Sequence, residues 1–149
     1  MTAQLLQRNA PTQPSRLSRG VALRTPIVVG AIGVAATALL HFRDPHQHAA
    51  YGLCPFQFLT GLWCPGCGGL RAVNDLTRLD VASAVSSNVL AVVLVAVLAV
   101  FYVRWLVVRW RGHDVRMIVL SPRAATVVTV VIVAFTVVRN TPFGAWLAP

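Results

Sequence analysis

Three stretches of the chain are free of charge, and arginine or aspartate brackets each of them. The first, "PIVVGAIGVAATALLHF", runs from Pro26 to Phe42 and with its flanks approaches the roughly 20 residues that cross a ~30 Å hydrocarbon core. The second has no charged residue between Asp80 and Arg104, with its apolar centre "VLAVVLVAVLAVFYV" at Val89 to Val103. The third, "AATVVTVVIVAFTVV", lies between Arg123 and Arg139 and has only 15 uncharged residues. Those two arginines can snorkel to opposite surfaces, and bordering residues such as Leu120 lengthen the segment. Its Val and Thr content would also suit a β-strand, but an open strand edge cannot face lipid, and two neighbouring spans set the context. The pattern predicts spans at about 26–42, 89–108 and 120–138. A cleavable signal peptide would also begin with a basic stretch and an apolar run, but here further spans follow instead of a soluble mature domain, so the first span is read as uncleaved.

The segment joining spans one and two, residues 43–88, is not an ordinary hydrophilic loop. Tyr51, Phe56, Phe58 and Trp63 give it the aromatic content of chain lying at a bilayer interface. From Gly68 onward the spacing is helical, with Ala72, Leu76 and Leu79 on one face and Arg71, Asp75 and Arg78 as an adjacent charged stripe. Arg71 and Asp75 read as a surface i,i+4 pair, and Asp80 is placed to N-cap a further helix leading into span two. The expected fold is an all-α membrane protein, with three transmembrane helices and an outer interfacial helical cap between spans one and two. Residues 1–25, with Arg8, Arg16, Arg19 and Arg24 among small polar residues and prolines, read as a disordered basic tail ahead of a membrane domain at 26–149.

Composition agrees. Of the 149 residues 56% are hydrophobic and only 11% charged, against about 25% charged in a soluble domain. The mean hydropathy is +0.69. The net charge of +9 comes from 13 arginines and 4 aspartates, with no lysine and no glutamate. A pI near 11.5 raises the question of nucleic acid. The arginines flank apolar runs, however, and do not form a basic stripe with interleaved aromatics, so no nucleic-acid partner is expected.

Charge decides orientation instead. The tail has four arginines, and the connection between spans two and three has Arg104, Arg109, Arg111, Arg116 and Arg123. The first connection has Arg43, Arg71 and Arg78, offset by Asp44, Asp75 and Asp80, and the C-terminus has only Arg139. This places the tail and second connection in the cytoplasm, with segment 43–88 and the C-terminus outside. The expected partner is the lipid bilayer. Three helices are few for a transport path, so other membrane proteins or self-association are the remaining partners.

Candidate chemistry is concentrated in one place. Cys54, Cys64 and Cys67 lie within fourteen residues, two of them in "TGLWCPGCGGLRA", and no other cysteine exists. Three readings compete. As a zinc knuckle, Cys64-Pro-Gly-Cys67-Gly converges two thiolates on one ion, with Cys54 as third ligand and His46 or His48 (or His41) as the fourth. As a redox dithiol, Cys64 is the nucleophile and Cys67 or Cys54 the resolving thiol, and the outside location favours disulfide formation. As plain structure, the sequence makes a tight turn with half-buried or disulfide-linked thiols. The residues alone leave these open. Asn140 reads as the end of span three, with Phe143 and Trp146 as interfacial anchors, and His113 and Asp114 have no assigned role. There is no Ser/His/Asp constellation, phosphate-cradling glycine loop or acid–base carboxylate pair, which argues against a conventional hydrolase, kinase or nucleotide-binding protein.

The stretch "CPFQFLTGLWCPGCGGLRAVNDLTRLDVASAVSSN" resembles the signature of a bacterial membrane family, domain of unknown function 2752. Cys54, Pro55, Thr60, Gly61, Cys64, Pro65, Cys67, Gly68 and Arg71 match its pattern in order and spacing. The chain departs from it twice: Leu79 stands where the family tends to have glycine before the aspartate, and Asn88-Val89 stands for Asn-Pro before the next span. The resemblance implies a small multi-pass bacterial membrane protein, and it puts Arg71 beside the cysteines. It implies no activity. Arginine, alanine and valine without lysine fit a high-GC bacterium.

Overall fold

The computed structural model describes residues 19–46 and 54–148. Their helices are α1 (Arg19–Phe42), α2 (Pro55–Thr60), α3 (Gly69–Thr77), α4 (Val81–Trp110), α5 (Pro122–Arg139) and a 3-10 helix at Pro142–Leu147. No strand occurs among the described residues. Three helices, α1, α4 and α5, are long and apolar enough to cross a membrane, and only 6% of each apolar stretch is buried within the protein. Helices apolar all round and unburied by their own protein need lipid as solvent. The chain is an all-α membrane protein with three spans. The first 18 residues, and with them Arg8 and Arg16, fall outside the described residues, as do His48 and Tyr51.

The first helix begins at Arg19, seven residues before the expected start, so Pro26 sits inside it. Proline lacks an N–H, which leaves the carbonyl four residues earlier without its helical partner. That carbonyl belongs to Ala22, and Arg109 Nη1 donates to it at 3.2 Å. Tyr102 adds a bond from its hydroxyl to the Pro26 carbonyl at 3.0 Å. Both Ala22 and Pro26 are buried. Two donors from α4 thus repair and cover the proline defect, and they tie the start of α1 to the end of α4.

At 30 residues α4 would be about 45 Å long as one straight helix, more than a bilayer core requires. It is divided at Asn88, whose φ of −169° and ψ of 98° are extended. The Asn88 side chain accepts a bond from the Ala91 amide at 2.9 Å, so it N-caps the span proper. The span therefore starts near residue 89, as the hydropathy pattern predicts, while residues 81–87 extend the helix toward α3, which packs on α4. Asp80 caps this forward segment through Ser83, whose amide and hydroxyl donate at 3.0 and 2.7 Å.

Helix α3 ends in a Schellman turn. The Asp80 amide bonds the Asp75 carbonyl and the Leu79 amide bonds that of Leu76, with Leu79 at φ +62°. A left-handed leucine costs about 1–2 kcal/mol relative to a right-handed one, and glycine, the residue the resembled family prefers there, avoids the penalty. Because the Leu79 side chain is 87% exposed, little packing is lost with it. Leu79→Gly should raise stability by about 1 kcal/mol, read as a higher midpoint of thermal unfolding in detergent, whereas Leu79→Val should lower it.

The expected face of α3 is found only in part: Ala72 is buried and Leu76 half-buried, but Leu79 lies beyond the helix end. The expected Arg71–Asp75 pair is not formed. Asp75 is buried, accepts a bond from Ser87 Oγ at 3.0 Å and meets His46 Nε2 at 3.4 Å, while Arg71 is exposed. Asn74, also buried, donates to the Leu40 carbonyl at 2.6 Å, and His41 meets Thr77 at 2.8 Å. These contacts join the end of α1 to the cap.

Ser121 caps α5 by accepting from the Ala124 amide at 3.2 Å, with Pro122 at the first helical position, where its missing N–H does no harm. After Asn140 the chain folds back as the 3-10 helix. Gly144 permits this, because a Cβ there would collide with the Val138 carbonyl. Phe143 and Trp146 are left 91% and 73% exposed, as interfacial anchors would be.

Candidate metal or thiol site

Each of the three cysteines is placed by its own local device. Cys54 is the extended residue that opens α2, with Pro55 following at the first helical position. Helix α2 and the left-handed Gly61 then reverse the chain toward Trp63. Cys64 and Cys67 face one another across a turn closed by the Cys67 amide on the Cys64 carbonyl at 3.2 Å. Gly68 leaves that turn at φ +81°, a conformation that L side chains rarely adopt, and starts α3.

The result is a cluster of three free, half-buried thiols. Cys64 Sγ lies 2.8 Å from Cys67 Sγ and 3.5 Å from Cys54 Sγ, and all three sulfurs fall within 4.8 Å of one another. His46 is not among them. Its Nδ1 meets Asp44 at 2.8 Å and its Nε2 faces Asp75. His41 is engaged by Thr77, and His48 lies outside the described residues. No fourth metal-binding side chain joins the cluster among the described residues.

What holds the loop was not visible in the cysteine motif. Every carbonyl from Trp63 to Cys67 is taken by a donor. Asn140 Nδ2 donates to Trp63 O at 2.9 Å, and its Oδ1 accepts the Trp63 amide at 2.8 Å. Arg139 Nη1 donates to Cys64 O at 2.8 Å. Asn88 Nδ2 donates to both Pro65 O and Cys67 O at 2.9 Å. The Gly69 amide takes Gly66 O at 2.9 Å. Arg139 adds longer bonds to Cys67 O at 3.4 and 3.3 Å and a bond to Leu147 O at 3.0 Å. With every carbonyl but that of Gly66 bonded to Asn88, Arg139 or Asn140, the loop is held in place by side chains other than its own thiols.

Arg139 and Asn88 are each 1% exposed. Arg139 was expected to snorkel to a surface. Instead it is the largest fully buried side chain among the described residues; its hydrogen bonds all go to carbonyls, its guanidinium lies 5.0 Å from the Phe135 ring centroid, and its Nε has no partner there. Asn140, expected merely to end the third span, pairs with Trp63. One signal for this cradle existed: polar side chains bordering membrane spans are costly unless they find partners. Arg139 and Asn140 stand at the end of the third charge-free run, and Asn88 stands just before the apolar centre of the second.

The thiols are not equivalent. Burial first, then the Cys64 thiol, pushes Cys67 up to about 12. The Gln57 amide first, then the Cys64 thiol, holds Cys54 below the ordinary thiol range. Cys54 is therefore the readier thiolate, and Cys67 keeps its proton at neutral pH unless something takes its place.

Comparison with known proteins adds a match to one family model over part of the chain, and no activity. No curated protein and no solved structure shows significant similarity to the chain. Residues 54–102, which hold the three thiols, Asn88 and most of α4, match the family model described as "Protein of unknown function (DUF2752)", the family suspected from the cysteine signature.

Proposed function

We propose that this is a metal-handling membrane protein, in which Cys54, Cys64 and Cys67 hold one thiophilic ion, zinc being the first candidate, on the extracytoplasmic face of a bacterial cell membrane. The observation that carries the reading is the convergence of three sulfurs from two separate segments within 4.8 Å. A tetrahedral zinc with bonds of about 2.3 Å sets its sulfurs about 3.8 Å apart, within about an ångström of these separations. A loop held in place by Asn88, Arg139 and Asn140 supports it, because a metal site needs its ligands oriented by neighbours. Among the described residues three side chains converge, and three protein ligands with an exchangeable fourth is a pattern that zinc accepts. The raised Cys67 value means that binding displaces a proton from that sulfur, so apparent affinity should rise with pH. The lipid-facing spans suit association with other membrane proteins or further copies.

Protein purified without chelator should contain one equivalent of metal by mass spectrometry, and Cys54→Ser, Cys64→Ser and Cys67→Ser should each lose it. Chelator should make all three thiols open to alkylation together. Metal-free wild-type protein with fully alkylated thiols would sink the reading. Reporter fusions active in the periplasm after Asn74 and inactive after Gly112 would support the orientation, and the reverse would overturn it.

A thiol–disulfide oxidoreductase is the second reading, favoured by the short Cys64–Cys67 approach with Cys54 in reach of Cys64. Forming the Cys64–Cys67 disulfide releases two protons and two electrons, which would reduce a partner's disulfide to two thiols. Trapping of a mixed disulfide in a Cys→Ser variant, with no bound metal, would select it.

A further inference from the structure

We propose that the cavity at the connection between α4 and α5 binds the phosphate headgroup of an anionic phospholipid, independently of what the thiols do. The cavity is about 270 Å³ and lies at the end of the molecule opposite the cysteines. Arg104 and Arg116 line it together with Phe101, Trp105, Met117 and Val119.

Its chemistry is divided between apolar walls and two cations. Trp105 is buried and its indole N–H is already spent on the Val115 carbonyl at 2.9 Å, so it offers an apolar surface and no donor. Arg109, behind that ring at 5.6 Å from its centroid, is also committed: to Asp114 at 2.7 Å and to the Ala22 carbonyl. Asp114 is the one acidic residue after Asp80, and Arg109 takes it. Arg104 and Arg116 therefore face the cavity with no ion pair among the described residues. Between residues 104 and 123 five arginines stand against one aspartate, a surplus of four positive charges at the end of a membrane span.

Two guanidinium groups present the forked donors that suit phosphate oxygens. The aromatic and aliphatic lining at the end of a bilayer-crossing helix suits glycerol and the first acyl carbons. A free phosphate would use the cations and leave the apolar walls wet. A membrane lipid satisfies both, so the anionic phospholipid is the occupant that fits.

The test uses the purified full chain and native mass spectrometry of retained lipid, after exchange into mixed phosphatidylglycerol and phosphatidylcholine. Wild-type protein should retain phosphatidylglycerol selectively. Arg104→Gln and Arg116→Gln should each weaken retention about fivefold, and the double variant about 25-fold. Arg111→Gln, which alters an exposed arginine outside the lining, should retain the wild-type preference. Equal retention of the two lipids by wild-type protein overturns the proposal, and needs no variant to fold. So does an Arg111→Gln loss as large as that of Arg104→Gln, since the effect would then be diffuse charge. Displacement of the lipid by millimolar inorganic phosphate would make the site a free-phosphate site and overturn the choice of occupant.

Discussion

Arg139→Met will loosen the cysteine loop and cost about 3 kcal/mol of stability. The substitution deletes the bonds from one guanidinium to Cys64, Cys67 and Leu147 carbonyls. Hydrogen bonds to a charged group are each worth about 1.5–3 kcal/mol. They do not simply add, and removing a buried charge returns part of the desolvation penalty, so the net lies well below the sum. Leu147 O keeps no other donor from this group, and Cys67 O is left with Asn88 alone. The measurement is a thermal or denaturant midpoint in detergent, paired with the alkylation rate of Cys67. With the loop loosened, the thiol now held near 12 by burial is hydrated, its value falls, and alkylation at neutral pH should quicken. Arg139→Lys keeps the charge but not the fork, and should fall between the two. Wild-type stability together with an unchanged Cys67 rate in Arg139→Met would show that the cradle does not hold the loop.

The second large effect is a contrast between two prolines placed three residues apart in a single helix. Val92→Pro should cost about 3 kcal/mol or more, since it removes an interior helical bond and drives the ring against the carbonyl four residues earlier. Val89→Pro should cost less than about 1 kcal/mol. Residue 89 is the first helical position after the Asn88 cap, where an N–H has no helical partner in any case. Asn88 is also outside the α region that a following proline disfavours. The resembled family writes Asn-Pro at this point, so the tolerated variant restores its pattern. Comparison of folded yield and unfolding midpoint decides the matter, and equal damage from the two prolines would mean that α4 is one continuous helix.

These two results trace where sequence reasoning reached and where it stopped. Charge-free runs bracketed by arginine or aspartate located all three spans, because a bilayer core excludes charge whatever the packing. The Asp80 cap was equally local, a side chain serving an amide three residues on. Pro26 misled by the same kind of logic. It looks like a helix start, and only Arg109, 87 residues away in the chain at Ala22, makes it acceptable inside one. Asp75 looked like half of an ion pair with Arg71 and is instead buried against Ser87 and His46. For the candidate site, spacing brought Cys64 and Cys67 together, and the clustering of all three cysteines within fourteen residues drew in Cys54. The donors that hold the loop come from positions up to 77 residues distant, and no periodicity encodes such a meeting.

Cys67 O takes bonds from Asn88 on one span and Arg139 on another, while α5 packs chiefly against the 3-10 helix that folds back beside it. In mechanical terms the two spans hang from one peg. From this fastening α5 runs for 18 residues, about 27 Å, so its other end is positioned chiefly by what holds it here. The thiol loop is thus a fastening shared by the second and third spans.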